Sequence, residues 1–306
     1  MKAIKNHISV CICTFRRNQM LEHLLRNLSA QETAGLFDFS VVVVDNDSSG
    51  PARDVVIRMR EELGLEIAYE IEPVQTIPAA RNHALLLARG NYIAIIDDDE
   101  FPPPHWLAAL YRAIQTFDVN GALGPVRPFY KEKPPSWLVK SKTCERPVIR
   151  TGTLLEWLQT RTGNVLLKEE VFSRGNLRFN ITMKTGGSDH AFFRDAINMG
   201  FKFVATEEAP VYEYVPPERF KKSYYMKRAL IQGSNNCKML LTQFHGFSRI
   251  PIIVKSAAGF FVYAITLPIS ICLGSRFQLK SLESGSYHLS MLLTMLGIET
   301  VKKRNL

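Results

Sequence analysis

Four short apolar runs constrain this chain more than any other feature. Ile8–Phe15, Phe39–Val44, Glu66–Ile71 and Tyr92–Ile96 follow one another at spacings of about thirty residues, the length of a βαβ unit. Runs this short and this rich in β-branched residues suit strands buried on both faces of a parallel sheet. Helical patterns lie between them. Met20, Leu21, Leu24, Leu25 and Leu28 share one face, as do Val55, Val56, Met59 and Leu63 between Pro51 and Gly64. A third helix opens at Pro78 and closes at Gly90, with proline and glycine at the ends that favour them. The expected fold is therefore α/β, a Rossmann-like, mostly parallel sheet flanked by helices.

In such sheets ligands bind outside the carboxyl ends of the strands. Polar residues cluster there in four places: Thr14-Phe15-Arg16, Asp45-Asn46-Asp47-Ser48, Arg81-Asn82 and Asp97-Asp98-Asp99-Glu100. Four like charges after a buried strand are costly unless a cation neutralises them. Carboxylate oxygens select a hard ion such as Mg²⁺ or Mn²⁺, and a solvated acidic turn before Pro102 is the plainer reading. Asp45 suits either a base or ribose hydrogen bond or a turn, since its neighbours are turn formers. The planar fork of Arg81 suits a diphosphate, or a surface ion pair. Asp189, after Gly186, Gly187 and Ser188, suits a general base, or a helix first turn. His190 adjoins it and lines the same region. No Walker loop, nucleophile elbow or dinucleotide glycine fingerprint occurs.

The second half is less regular. Prolines mark loops at Pro102–Pro104 and Pro134-Pro135, a helix follows Asp189 as far as Gly200, and Phe201–Ala205 and Val211–Val215 read as strands. The formal net charge of +9 calls for anionic partners. No nucleic-acid motif accompanies it, so nucleic acid is set aside. Much of the charge falls late, at Arg219, Lys221, Lys222, Lys227 and Arg228, then Lys302, Lys303 and Arg304, which suits a membrane surface. Five cysteines without framework spacing, Cys11 and Cys13 pointing into packing, imply free thiols in a reducing compartment. No signal peptide precedes the first strand. Ser256–Leu273 carries no charge, is bracketed by Lys255 and Arg276, and contains Pro268. A span, an in-plane or re-entrant anchor and a buried core helix all compete for it. The bracketing charges favour an anchor on, or dipping into, an inner leaflet.

Taken together the motifs resemble family 2 glycosyltransferases of the GT-A fold. The likeness rests on Ile8–Arg17, Val44-Asp45-Asn46, Ala80-Arg81-Asn82, Ile96–Glu100 and Gly186–Asp189, in order across residues 8–235. Gly124-Pro125-Val126, Pro135-Ser136-Trp137, Thr162–Leu166 and Glu213–Arg219 extend it to the glucosyltransferases of succinoglycan assembly. The resemblance implies that Thr14, Phe15, Arg16, Asp45, Arg81, Asp97 and Asp98 hold a nucleotide-sugar donor, a UDP-sugar in particular. It places Asp99 on Mg²⁺ or Mn²⁺ and makes Asp189 the base, although Ser188 replaces the family's glutamate. Trp137, Gly163, Asn164 and His190 are expected at the acceptor sugar. The acceptor is expected to be a saccharide, free or carried on a lipid diphosphate. The processive Gln-x-x-Arg-Trp motif is absent, so single additions are expected. The expected division is a catalytic domain over 1–245, split into nucleotide (1–120) and acceptor (121–245) halves, and a membrane-associating region over 246–306 at the cytoplasmic face. The alternatives are a nucleotidyltransferase, which would need a glycine-rich loop after the first strand, and a non-catalytic nucleotide-sugar-binding subunit.

Overall fold

The β-branched runs at the start of the chain form four adjacent strands at one side of a sheet. The computed structural model describes residues 6–183, 187–243 and 245–298. Thr185, Gly186 and the basic residues Lys302, Lys303 and Arg304 lie outside the described residues. In order come β1 (Asn6–Thr14), α1 (Asn18–Ser29), β2 (Phe37–Asp45), α2 (Arg53–Leu63), β3 (Ile67–Ile71), α3 (Ile77–Leu87) and β4 (Tyr92–Asp97). All four strands and three helices expected from the apolar rhythm are present. α2 ends on Gly64 at φ +63°, in the left-handed region that glycine enters without a Cβ clash. α3 is capped by Thr76, whose hydroxyl accepts the Ala79 N–H.

Next come β5 (Glu100–Phe101), α4 (Trp106–Phe117), β6 (Gly121–Leu123), β7 (Val126–Phe129) and α5 (Ser136–Ser141). β8 (Val165–Lys168), α6 (Glu170–Ser173), α7 (Ser188–Asn198), β9 (Phe203–Ala205) and β10 (Val211–Tyr214) follow. The chain ends in α8 (Lys222–Gln243), α9 (Ile250–Leu273) and α10 (Ser275–Met295).

The seven-stranded sheet runs β3-β2-β1-β4-β8-β6-β9, and a small sheet runs β5-β10-β7. β1 pairs in parallel with both β2 and β4, while β8 is antiparallel to β4. The order reverses beside β1, which opens a crevice at the carboxyl ends of β1, β2 and β4. The register puts Thr14 opposite Asp45 and Cys13 opposite Asp97. The two faces bury separate cores. One holds Ile8, Val10, Leu21, Leu24 and Trp106, the other Ile93, Val165, Phe179, Phe192 and Phe193.

The chain divides into two compact units, 1–129 with 146–214, and 130–145 with 215–306. These units do not follow the expected boundary at 245/246. α8 belongs with α9 and α10, because its small residues form a tight seam with α10. A Cβ on Gly233 would fall 2.3 Å from the Tyr287 carbonyl. Ser290 donates to the Leu230 carbonyl at 2.6 Å, and Thr294 to Ser234 at 3.1 Å. Residues 130–145 join this unit through Leu138, which packs with Tyr225 and Leu279.

Candidate active site

The carboxyl ends of β1, β2 and β4 deliver the expected residues, but in different capacities. Thr14 is buried and donates its hydroxyl to Asp98 at 2.9 Å. Beyond it Phe15 carries the Arg16 guanidinium over its ring at 5.1 Å. Arg16 adopts φ +54° and donates to Asp47 at 2.5 Å. That bond holds the Asp47 carboxyl down to about 2.

Asp45 is fully buried. One oxygen accepts the Asp47 N–H at 3.1 Å, and the other accepts from Ala52 N–H at 2.9 Å and the Tyr69 hydroxyl at 3.1 Å. Its turn-forming reading therefore holds in this structure. No carboxylate oxygen of Asp45, expected at the nucleoside, is open to solvent in this structure.

The acidic run turns from β4 into β5. Asp97 keeps 47% of its side chain exposed and accepts from Arg81 at 3.2 Å. Arg81 lies nine-tenths buried in α3, 5.7 Å over the Phe179 ring. Asp98 is spent on structure, accepting from Thr14 and from Arg17 at 2.8 Å. The same Arg17 nitrogen donates to Asp99 at 2.9 Å. Burial pushes the Asp99 carboxyl up to about 6, against the pull of Arg17 and with help from Asp97, Asp98 and Glu213. Glu100, 2% exposed, is raised well above the usual range by burial and by Asp97. Burial also takes the Cys13 thiol up to about 12, which leaves it protonated and unfit as a nucleophile.

Gly163 explains how these acids fit. A Cβ there would fall 2.8 Å from Glu100 Oε1 and 3.1 Å from Asp97 Oδ2, so only glycine lets the chain press so closely on the cluster. Asn164, expected at the sugar, is corrected. It is fully buried at φ +59°, its oxygen accepts the Trp106 indole N–H at 2.6 Å, and its amide donates to Pro125 and Ala209 carbonyls. Every polar atom of that side chain is committed to the core. Trp137 belongs to the second unit, edge-on to Tyr225 at 6.1 Å with the Lys222 ammonium 5.6 Å over its ring.

Asp189 lies in the first turn of α7, behind Gly187 at φ +86°. His190 meets Trp157 edge-on at 6.2 Å. Arg161 lies two residues before Gly163. Burial and the Arg146 charge lower its guanidinium to about 10, while Glu100, Glu213 and Asp189 oppose that shift. Its Nε is buried without a hydrogen-bond partner among the described residues. Sequence reasoning passed over Arg17, Arg161, Glu213 and Trp157. The doubled arginine after Thr14 and the arginine two residues before Gly163 were the available signals.

No three His, Cys, Asp or Glu side chains gather into a metal-binding group among the described residues. The donor set still fits a divalent ion that is completed by phosphate oxygens. Such an ion takes one or two carboxylates from the protein and the rest from substrate and water. Asp97 and Asp99, both hard oxygen donors beside other acids, have that character.

Comparison with known proteins agrees with this layout. The Glycosyl transferase family 2 pattern matches residues 9–179. Succinoglycan biosynthesis protein ExoM of Rhizobium meliloti (strain 1021) is 30% identical, over 97% of this chain and 95% of that protein. S. aureus TarS 1-349 in complex with UDP-GlcNAc is similar at a TM-score of 0.53 and 16% identity, covering 95% of this chain and 92% of that one. The mannosyltransferase PcManGT from Pyrobaculum calidifontis, in complex with GDP-Man and Mn²⁺, is similar at a TM-score of 0.59 and 16% identity, with 96% and 88% covered. Strand order, crevice and these likenesses lead to one conclusion: the chain belongs to glycosyl transferase family 2 and is a glycosyltransferase of the GT-A fold.

Proposed function

We propose that this glycosyltransferase moves a hexose from a UDP-sugar to a saccharide, free or carried on a lipid diphosphate, inverting the anomeric centre. One observation carries the reading. Arg81 of α3 donates to Asp97 at 3.2 Å, and Arg17 donates to Asp98 at 2.8 Å and to Asp99 at 2.9 Å, so cations suited to a diphosphate and acids suited to a metal meet at the carboxyl ends of β1 and β4. The UDP-GlcNAc and GDP-Man complexes of the fold neighbours support a nucleotide-sugar donor. The ExoM likeness supports an exopolysaccharide acceptor.

In this reading Asp189 takes the proton of an acceptor hydroxyl. The hydroxyl oxygen bonds to the anomeric carbon from the face opposite the diphosphate, and the bond from that carbon to the diphosphate oxygen breaks. The electron pair leaves on UDP. Arg81 offers planar donors to the departing diphosphate. Asp97 and Asp99 would hold Mg²⁺ or Mn²⁺, which when bound supplies positive charge against the phosphates. Thr14 and Arg17 keep Asp98 fixed beneath them, so the turn does not rearrange as charge builds. The inner-leaflet surface enters through α9. The stretch Gly246–Ser270 is long and apolar enough to cross a membrane, and almost none of it is buried. Phe261, Val262, Ile265 and Ile269 stand exposed. The free cysteines and the flanking cations Lys255 and Arg276 support a cytoplasmic face.

Asp189→Asn provides the test. Turnover of UDP-glucose or UDP-galactose should fall by about 10²- to 10⁴-fold, the scale of a lost general base, while calorimetric UDP affinity holds. Unaltered transfer by the variant would refute the base assignment.

A further inference from the structure

We propose that Trp157, with His190, forms the platform on which the acceptor sugar ring lies. The inference rests on the transferase reading above and deepens it by assigning a subsite to the acceptor. Trp157 opens a short 3-10 turn, Trp157–Gln159. That turn is pinned at both sides: the Gln159 side chain accepts the Glu156 N–H at 2.9 Å, and the Thr160 hydroxyl donates to the Trp157 carbonyl at 2.7 Å. A rigid backbone holds an aromatic ring that keeps 38% of its surface open, whereas Trp106 is fully buried. An open, large aromatic on a fixed turn is costly to leave in water, and its π face suits the C–H face of a pyranose.

Position selects the ligand. The indole is edge-on to His190, at 6.2 Å and 76°, and His190 directly follows Asp189 in the first turns of α7. A sugar ring resting against Trp157 therefore lies beside the proposed base. The imidazole of His190 offers a nitrogen to a neighbouring hydroxyl. From Trp157 the chain continues through Arg161 to Gly163, where a Cβ would fall 2.8 Å from Glu100 Oε1 and 3.1 Å from Asp97 Oδ2. Seven residues, Trp157 to Gly163, thus run from the platform to the donor acids. The ligand class that fits is a hexopyranosyl unit with one face bare of hydroxyls, as in gluco- and galacto-configured sugars. An acceptor offering only a lipid phosphate would gain nothing from this ring.

The full chain, purified with UDP-glucose or UDP-galactose and Mn²⁺, tests the idea. Methyl β-glucoside, cellobiose and lactose serve as acceptor probes, read by saturation-transfer NMR and by UDP release. Trp157→Ala should weaken probe binding and raise the acceptor KM about tenfold or more, equivalent to one decade of affinity. The donor KM and UDP affinity should not move, and Trp157→Phe should restore most of the loss. Equal acceptor KM in the alanine variant, or a donor KM that shifts with it, overturns the platform. So does a wild-type chain that binds UDP-sugar yet none of the probes. A wild-type chain that binds no UDP-sugar would instead refute the donor reading, which keeps the two failures apart.

Discussion

At the scale of residues, similar polar side chains divide sharply into those that build the site and those that face it. Asn164 and Asp45 are fully buried and wholly satisfied, whereas Asp97 keeps 47% of its side chain in solvent. Removing a buried amide strands its partners, so Asn164→Ala leaves the Trp106 indole N–H and two carbonyls without it. That substitution should cost about 1–3 kcal/mol, visible as a lower Tm in calorimetry. Arg16 provides a pH prediction. Its hydrogen bond holds the Asp47 carboxyl at about 2, below its ordinary 3.8. A depressed carboxyl adds stability above its unfolded value, and that stability is lost as pH falls through the folded one. Arg16→Met should therefore return Asp47 towards 3.8 in an NMR titration and move the onset of acid unfolding upward. An unchanged titration would show that Asp47 does not depend on the guanidinium.

At the scale of elements, the turn from β4 into β5 and the segment that presses on it act as one piece. Gly163 sits where any side chain would strike Glu100 and Asp97. Glu100 is buried and resists displacement, so Gly163→Ala should push the acidic turn outward. The expected readout is a donor KM raised several-fold with the acceptor KM little changed, the reverse of the pattern for Trp157→Ala. The helix caps follow simpler rules. Thr76→Ala removes the bond to the Ala79 N–H at the start of α3, a loss of about 1 kcal/mol for an N-cap. Because α3 carries Arg81, nucleotide affinity should fall with it.

At the scale of the whole molecule, two units share the chain, and the apolar α9 belongs to the second. A buried core helix is excluded, since Phe261 and Ile265 are 61% and 70% exposed. Pro268 lies within α9 without ending it. Truncation after residue 245 is a poor test of anchoring, because α10 would leave with α9 and strip the seam from α8. Point substitutions are cleaner. Phe261→Glu with Ile265→Glu should abolish co-flotation with phosphatidylglycerol vesicles while UDP-sugar binding persists. Retained flotation would show that α9 is not the contact.

The order of strands and helices, the polar strand ends and the family were legible in local patterns. β-branched runs, proline and glycine at helix ends, and an acidic run after Ile95-Ile96 are features of contiguous chain, set by periodicity and backbone sterics. What each polar residue does was not legible, because that depends on partners far away in sequence. Asn164 meets Trp106 and Ala209, Asp98 meets Thr14 and Arg17, and Glu213 lies across a β-pair from Glu100. Trp137 and Trp157 look alike as isolated aromatics, and only packing sets one, partly buried, edge-on to Tyr225 and leaves the other beside His190. Sequence alone determined which chemistry this chain carries to the edge of its sheet. Tertiary structure decided which groups remain open to use it, because burial and long-range hydrogen bonds consume polar atoms without leaving a local trace.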